Sequence, residues 1–245
     1  MLKRFVTALI CLTMAFALGS CTKKNGPSRS ADANAPVEGV EKVKPSPGTG
    51  NVQGKVLYNN APVENIEVKL CETFSRFLSG CGGKIYTAKT DKDGDFVITN
   101  VPPKEYEGLT VRVFDTDSYV FATTGIAGIA ASKYNVEADK TLFVRPTHLF
   151  KGDLKVLNPK AGSTVSGQGL ELQWEPYPAA AYYKFTLYPD NHQITPPYTN
   201  QRVDDASFKV NKPLEKGSYR FKVEAFNKAD KKLSETSDDI TFTIN

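Results

Sequence analysis

Few side chains in this sequence are of types that do chemistry at neutral pH. Histidine occurs twice, as His148 and as His192 within the polar run Pro189-Asp-Asn-His-Gln. The sequence has no Gly-x-Ser-x-Gly elbow, no His-Glu-x-x-His pair and no glycine-rich phosphate loop to go with them. Surface or junction roles are expected for both, so no catalytic residue and no cofactor is assigned. Asp91, Asp93 and Asp95 around Gly94 imitate the opening of a calcium loop, whose alternating carboxylates supply oxygen ligands. Such a loop closes with a bidentate Glu at its twelfth position, and counting from Asp91 reaches Pro102 instead. The stretch therefore reads as a polar turn, with a metal site as the weaker alternative. Cys71 and Cys81 enclose Glu72-Thr-Phe74-Ser-Arg76-Phe77-Leu78-Ser-Gly80, which carries more apolar bulk than a loop needs. Either Phe74, Phe77 and Leu78 fold inward as a cap, or they face out as a contact patch with Arg76 as its hydrogen-bonding anchor. Tyr182, Tyr188 and Tyr198 complete the set. The first two alternate with Tyr183, Phe185 and Leu187, and Tyr198 follows Pro196-Pro197, so partial exposure is expected. Exposed rings could stack on sugars or merely cover a sheet face.

What must hold these residues begins with an export signal. Lys3 and Arg4 precede an uncharged run, Phe5 to Leu18, too short to span a bilayer. Leu18-Gly19-Ser20-Cys21 resembles a bacterial lipobox, which implies cleavage before Cys21 and a diacylglycerol on its thiol. An ordinary signal peptide with a chance cysteine is the alternative. By the same resemblance, Thr22 in place of an Asp favours the outer membrane if the host has one. Cys11 then leaves with the signal at residues 1–20 and Cys21 is lipidated. An even pair remains in an exported chain, so a Cys71–Cys81 disulfide is expected. Removing Lys3 and Arg4 from 31 basic residues leaves 29 against 27 acidic ones, a net charge of +2. That gives no electrostatic case for nucleic acid.

Residues 21–50 read as a flexible linker, charged and rich in Asn, Gly, Ser, Ala and Pro, with too little apolar surface to offset the entropy of ordering it. From Asn51 the texture changes. Val52, Gly54, Val56 and Tyr58 alternate, as do Ile66, Val68 and Leu70, and then Leu109, Val111 and Val113. Period-two spacing between Asn, Gly and Pro breaks marks half-buried antiparallel strands. A hairpin is expected across Thr90 to Gly94, closed by Val101-Pro102-Pro103. Gly54-Lys-Val56, Pro62-Val63-Glu-Asn-Ile66-Glu-Val68, Thr90-Asp91-Lys-Asp-Gly94-Asp-Phe96 and Val101-Pro102-Pro103-Lys-Glu-Tyr106 resemble the carboxypeptidase regulatory-like domain. That resemblance implies a noncatalytic, transthyretin-like β-sandwich over residues 51–149. Lys104-Glu105 stand where that family commonly places Gly before the final Tyr.

Residues 150–245 show the same period in Leu170, Leu172 and Trp174, in Tyr219, Phe221, Val223 and Ala225, and in Ile240, Phe242 and Ile244. Leu172-Gln-Trp174-Glu-Pro176, Ala181-Tyr-Tyr183-Lys-Phe185 and Leu214-Glu-Lys-Gly217-Ser-Tyr219 are similar to a fibronectin type III domain. The resemblance places Trp174 in the core and Tyr219 at the tyrosine corner. The expected fold class is thus all-β, with two tandem sandwiches behind a signal peptide and a linker. The expected role is that of a noncatalytic, lipid-anchored envelope module whose partner is an envelope or surface protein. A carbohydrate- or peptidoglycan-binding lipoprotein is the second reading, and an accessory subunit of an envelope hydrolase the third.

Overall fold

A computed structural model describes residues 37–75, 80–124, 130–190 and 196–245. Every regular element among these residues is a strand, and none is a helix long and apolar enough to cross a membrane. The signal, Cys21, Arg76, Phe77, Leu78 and His192 lie outside the described residues.

The alternation at Asn51-Val-Gln-Gly-Lys-Val56 sets up the first sandwich. Val52 and Val56 point inward and are buried, while Asn51, Gln53 and Lys55 point to the other face. The strand Gly50–Tyr58 is central in its sheet. It pairs antiparallel with Asp95–Val101 on one side and parallel with Thr141–Phe143 and Thr147–His148 on the other. The facing sheet runs in the order Gly80–Lys89, Glu67–Ser75, Leu109–Arg112, Tyr119–Phe121, and Lys104–Glu107 pairs with Lys133–Val136 beside it. Between the layers lie Val52, Val56, Val68, Leu70, Phe96, Ile98, Tyr106, Val111 and Tyr134.

One expectation about connectivity is corrected here. The turn at Thr90–Gly94 does not close a hairpin. Gly80–Lys89 pairs with Glu67–Ser75 in one sheet, whereas Asp95–Val101 pairs with Gly50–Tyr58 in the other, so the turn carries the chain between layers. Asp91 holds the turn: its side chain accepts from the backbone N–H of Asp93 (2.9 Å) and of Asp95 (3.0 Å). Gly94 has φ +73°, and a Cβ there would lie 2.6 Å from the Val56 carbonyl oxygen. Only glycine accommodates both conditions.

Residues 150–245 build a second two-layer core. Val156–Asn158, Glu171–Trp174 and Ser207–Lys209 form one sheet. Thr164–Val165, Ile240–Ile244, Gly217–Phe226, Tyr182–Pro189 and Tyr198–Val203 form the other, with Lys232–Glu235 also paired to Gly217–Phe226. Trp174 sits between the layers against Tyr183, Phe185 and Phe221, with ring centroids 5.4 to 6.2 Å away. The Tyr219 ring is buried against Phe242 with centroids 6.0 Å apart. A three-strand sheet packed on a larger one through such a core is consistent with the fibronectin type III-like expectation.

The chain passes from one core to the other within a few residues. Leu149 N–H donates to the Leu57 carbonyl, and Lys151 N–H donates to that of Leu233. Asn227 Nδ2 donates to Asn59 Oδ1 at 2.8 Å, and the hydroxyls of Tyr58 and Tyr177 meet at 3.3 Å. The Lys151 ammonium lies over both Tyr58 and Phe114.

Candidate functional site

Residues with period two leave a second face, and on the four-strand sheet that outer face sets Ile85 and Phe121 among polar and charged side chains. Register places Val68, Val111 and Val120 in one row facing the core, and Lys69, Thr110 and Phe121 in the next row facing out. Above this outer row lies a recess of about 420 Å³, lined by Lys69, Phe74, Ser75, Gly80, Cys81, Ile85, Thr110, Tyr119 and Phe121. That volume falls within the range of small-ligand and side-chain pockets.

Each wall has a local cause. The Phe74 ring packs on Phe121 with centroids 4.7 Å apart, and it lies on Gly108, where a Cβ would come within 2.7 Å. Phe74 is thus half-buried against the sheet face; it neither caps the sandwich end nor stands free. Cys71 and Cys81 form a disulfide across adjacent strands, with Cα atoms 5.2 Å apart. Thr110, almost fully buried, has its hydroxyl 3.8 Å from Cys81 Sγ. Ile85, on the outermost strand, is 42% exposed and open to solvent.

The polar end of the recess is neutralised internally. Lys69 Nζ donates to the Tyr119 hydroxyl (2.8 Å) and pairs with Glu67 (3.0 Å), and Tyr119 donates to Glu67 (3.1 Å). The Tyr119 hydroxyl, then Glu67, hold the Lys69 ammonium above its ordinary range, and Lys69 holds the Glu67 carboxyl below its own. Both groups are therefore charged and engaged at neutral pH, and neither is poised as a general acid or base.

Beside the recess runs a sheet edge. Among the described residues Gly80–Lys89 pairs only with Glu67–Ser75, so its outer backbone groups have no strand partner. A recess of mixed lining next to an open ladder has the geometry to take an extended segment of another chain.

The Asp-rich turn holds a cation of the protein's own. Lys42 Nζ reaches Asp91 at 2.8 Å and Asp95 at 2.6 Å, and Lys55 Nζ reaches Asp95 at 2.9 Å. The Lys42 ammonium depresses the Asp91 pKa. Burial pushes Asp95 up, and Lys42 and Lys55 together outweigh that to hold it below the usual carboxylate range. Two ammonium groups of the chain itself thus neutralise the carboxylates on which the metal alternative rests. No cluster of metal-ligating side chains occurs among the described residues.

The tyrosines are likewise corrected. Tyr182 is 3% exposed and Tyr198 4%. Tyr182 lies flat on Phe226 at 5.1 Å, the Arg202 guanidinium covers its other face at 3.8 Å, and its hydroxyl donates to Asp230. Tyr188 is half-buried beneath Arg220 and donates to Asp239. Tyr198 points into the core against Phe185 and Phe208, and its hydroxyl takes the N–H groups of Asn211 and Lys212. Phe226 and Arg202 leave Tyr182 no ring face for a sugar, and Arg220 already takes one face of Tyr188.

Sequence reasoning found Phe74 and the disulfide. It missed Ile85, Phe121 and Tyr119, and the outward phase of Glu67 and Lys69 was the signal that could have located that face.

No family model matches this chain, and no curated protein matches it. Among solved structures it is similar to fibronectin(III)-like modules of Clostridium thermocellum CbhA (11% identity over 83% of this chain and 93% of that one, TM-score 0.28). It is also similar to the major pilin subunit BcpA of Bacillus cereus (14%, 80% and 70%, TM-score 0.28). A leucine-rich repeat protein from Bacteroides thetaiotaomicron matches at 12% over 81% of this chain but only 25% of its own (TM-score 0.27). Such identities and scores carry no functional argument.

Proposed function

We propose that this protein is a noncatalytic, lipid-anchored module of the cell envelope that works by holding a protein partner. The observation that carries this reading is the recess of Phe74, Ile85, Phe121 and the disulfide, set against an open strand edge. Backbone groups on such an edge supply affinity to an incoming extended segment, and the adjacent recess selects one of its side chains. The lipobox-like Leu18-Gly-Ser-Cys21 supports anchoring, and residues 22–36 between that cysteine and the docked chain could reach at most ~50 Å.

Two variants in the native host test the two halves separately. Cys21→Ser should move the protein from the membrane pellet to the soluble fraction; a protein that stays in the pellet, or a wild type that is never there, contradicts anchoring. Ile85→Glu should abolish recovery of the crosslinked partner while moving the melting temperature by no more than about 2 °C, because Ile85 is exposed. Recovery of a glycan instead of a protein would move the assignment to the carbohydrate reading.

A further inference from the structure

The stretch expected to be linker is in part folded onto the first sandwich. Before the turn at Ser46–Thr49 the chain lies over the outer face of the strand Gly50–Tyr58, whose own backbone is already paired on both sides. Side chains replace the missing ladder. Gln53 accepts from Lys42 N–H (3.0 Å) and donates to the Val40 carbonyl (2.9 Å), as a peptide group of a neighbouring strand would. Asn51 donates to the Val43 carbonyl at 2.8 Å. Lys42 then closes onto Asp91 and Asp95. Glu41 with Thr141, Ser46 with Asn100 and Gly48 with Asp139 complete the contacts.

This segment is held mainly by polar groups. Val40 is 86% exposed and Val43 47%, while Val37 and Pro45 are half-buried and Gly39 lies against the Phe143 ring. Segments that bury little apolar surface open at low free energy without unfolding the domain. Asn51 beneath it is fully buried, yet its Oδ1 has no hydrogen-bond partner among the described residues with the segment in place. A buried acceptor left unpaired is costly, so an occupant offering one more N–H would bind the same seat more tightly.

We propose that residues 37–49 are a releasable strap, and that Asn51, Gln53, Asp91 and Asp95 beneath it form a binding site for an extended, lysine-bearing peptide. Gln53 and Asn51 read the backbone of the occupant, which requires extension but not sequence. Asp91 and Asp95 read the ammonium and set the register. The strap is the resident occupant, favoured by its high effective concentration. The inference holds whether or not Cys21 carries a lipid.

The test uses the full chain, with Lys42→Gln and, as a second way of breaking the same lock, Asp91→Asn. Amide exchange read by nuclear magnetic resonance should be at least about ten-fold faster at residue 42 in either variant, or in ~0.5 M salt, with Val52 unchanged. A synthetic peptide of residues 37–49 added to Lys42→Gln should then shift the side-chain amide signals of Asn51 and Gln53. The same peptide with Gln replacing Lys42 should not. Equally slow exchange of Lys42 and Val52 under every condition would overturn the strap. Release without a peptide-induced shift at millimolar concentration, or equal shifts from both peptides, would overturn the binding site.

Discussion

Tyr198 shows how a single hydroxyl can decide between a binding role and a structural one. It accepts two backbone N–H groups, from Asn211 and Lys212, and donates to Asn211 Oδ1. Tyr198→Phe removes the acceptor these part-buried bonds share and should cost about 1 kcal/mol in urea unfolding. A change below ~0.5 kcal/mol would mean that the hydroxyl is not structural. Gly94→Ala combines a left-handed backbone with a Cβ only 2.6 Å from the Val56 oxygen. It should destabilise by at least ~1 kcal/mol, measured the same way. Alternation did reveal which side chains leave the core: Tyr182 and Tyr188 do point outward. It could not reveal that they are covered, because Arg202, Phe226 and Arg220 come from other strands. Exposure is a property of neighbours, and neighbours far along the chain leave no local mark.

At the scale of elements, strands were legible wherever one face is apolar and the other polar. The strap was not, because it is held by carboxamides and carboxylates that write no hydrophobic period. Nor was the layer change at Thr90–Gly94: turn residues announce that the chain bends, and only the distant partners of each flanking strand say where it goes. The Cys71–Cys81 bridge joins two strands that also pair through backbone bonds. It ties off a loop of sequence separation 10, for which chain entropy gives up to about 3 kcal/mol. Replacing both cysteines by serine should lower stability by up to that amount and leave a cooperative transition. Loss of the transition altogether would mean that the bridge is needed for folding itself.

For the whole molecule, the short connection between the two cores is the feature with a pH signature. His148 is half-buried there, and its Nδ1 has no hydrogen-bond partner among the described residues. Burial, then the charge of Lys231, hold the imidazole pKa below its ordinary value. A depressed histidine binds its proton more readily in the unfolded chain. Its contribution is therefore fully present above about pH 6.5 and is lost as pH falls through the folded value. Melting temperature should decline from pH 7 to pH 5, and His148→Gln should flatten that decline; an unchanged slope in the variant would remove His148 as its cause. Aspartates 91 and 95 and Glu67, all depressed, add losses at lower pH, in the carboxylate range.

The central claim is that this protein acts by contact and that its partner seats on the recess and edge around Ile85. A photo-crosslinking amino acid at position 85, compared with the same probe at the exposed Leu157 of the other core, tests it in intact cells of the native host. The account predicts one discrete protein adduct from position 85 and none of that mass from position 157. No adduct at 85, or the same adducts from both positions, would contradict it.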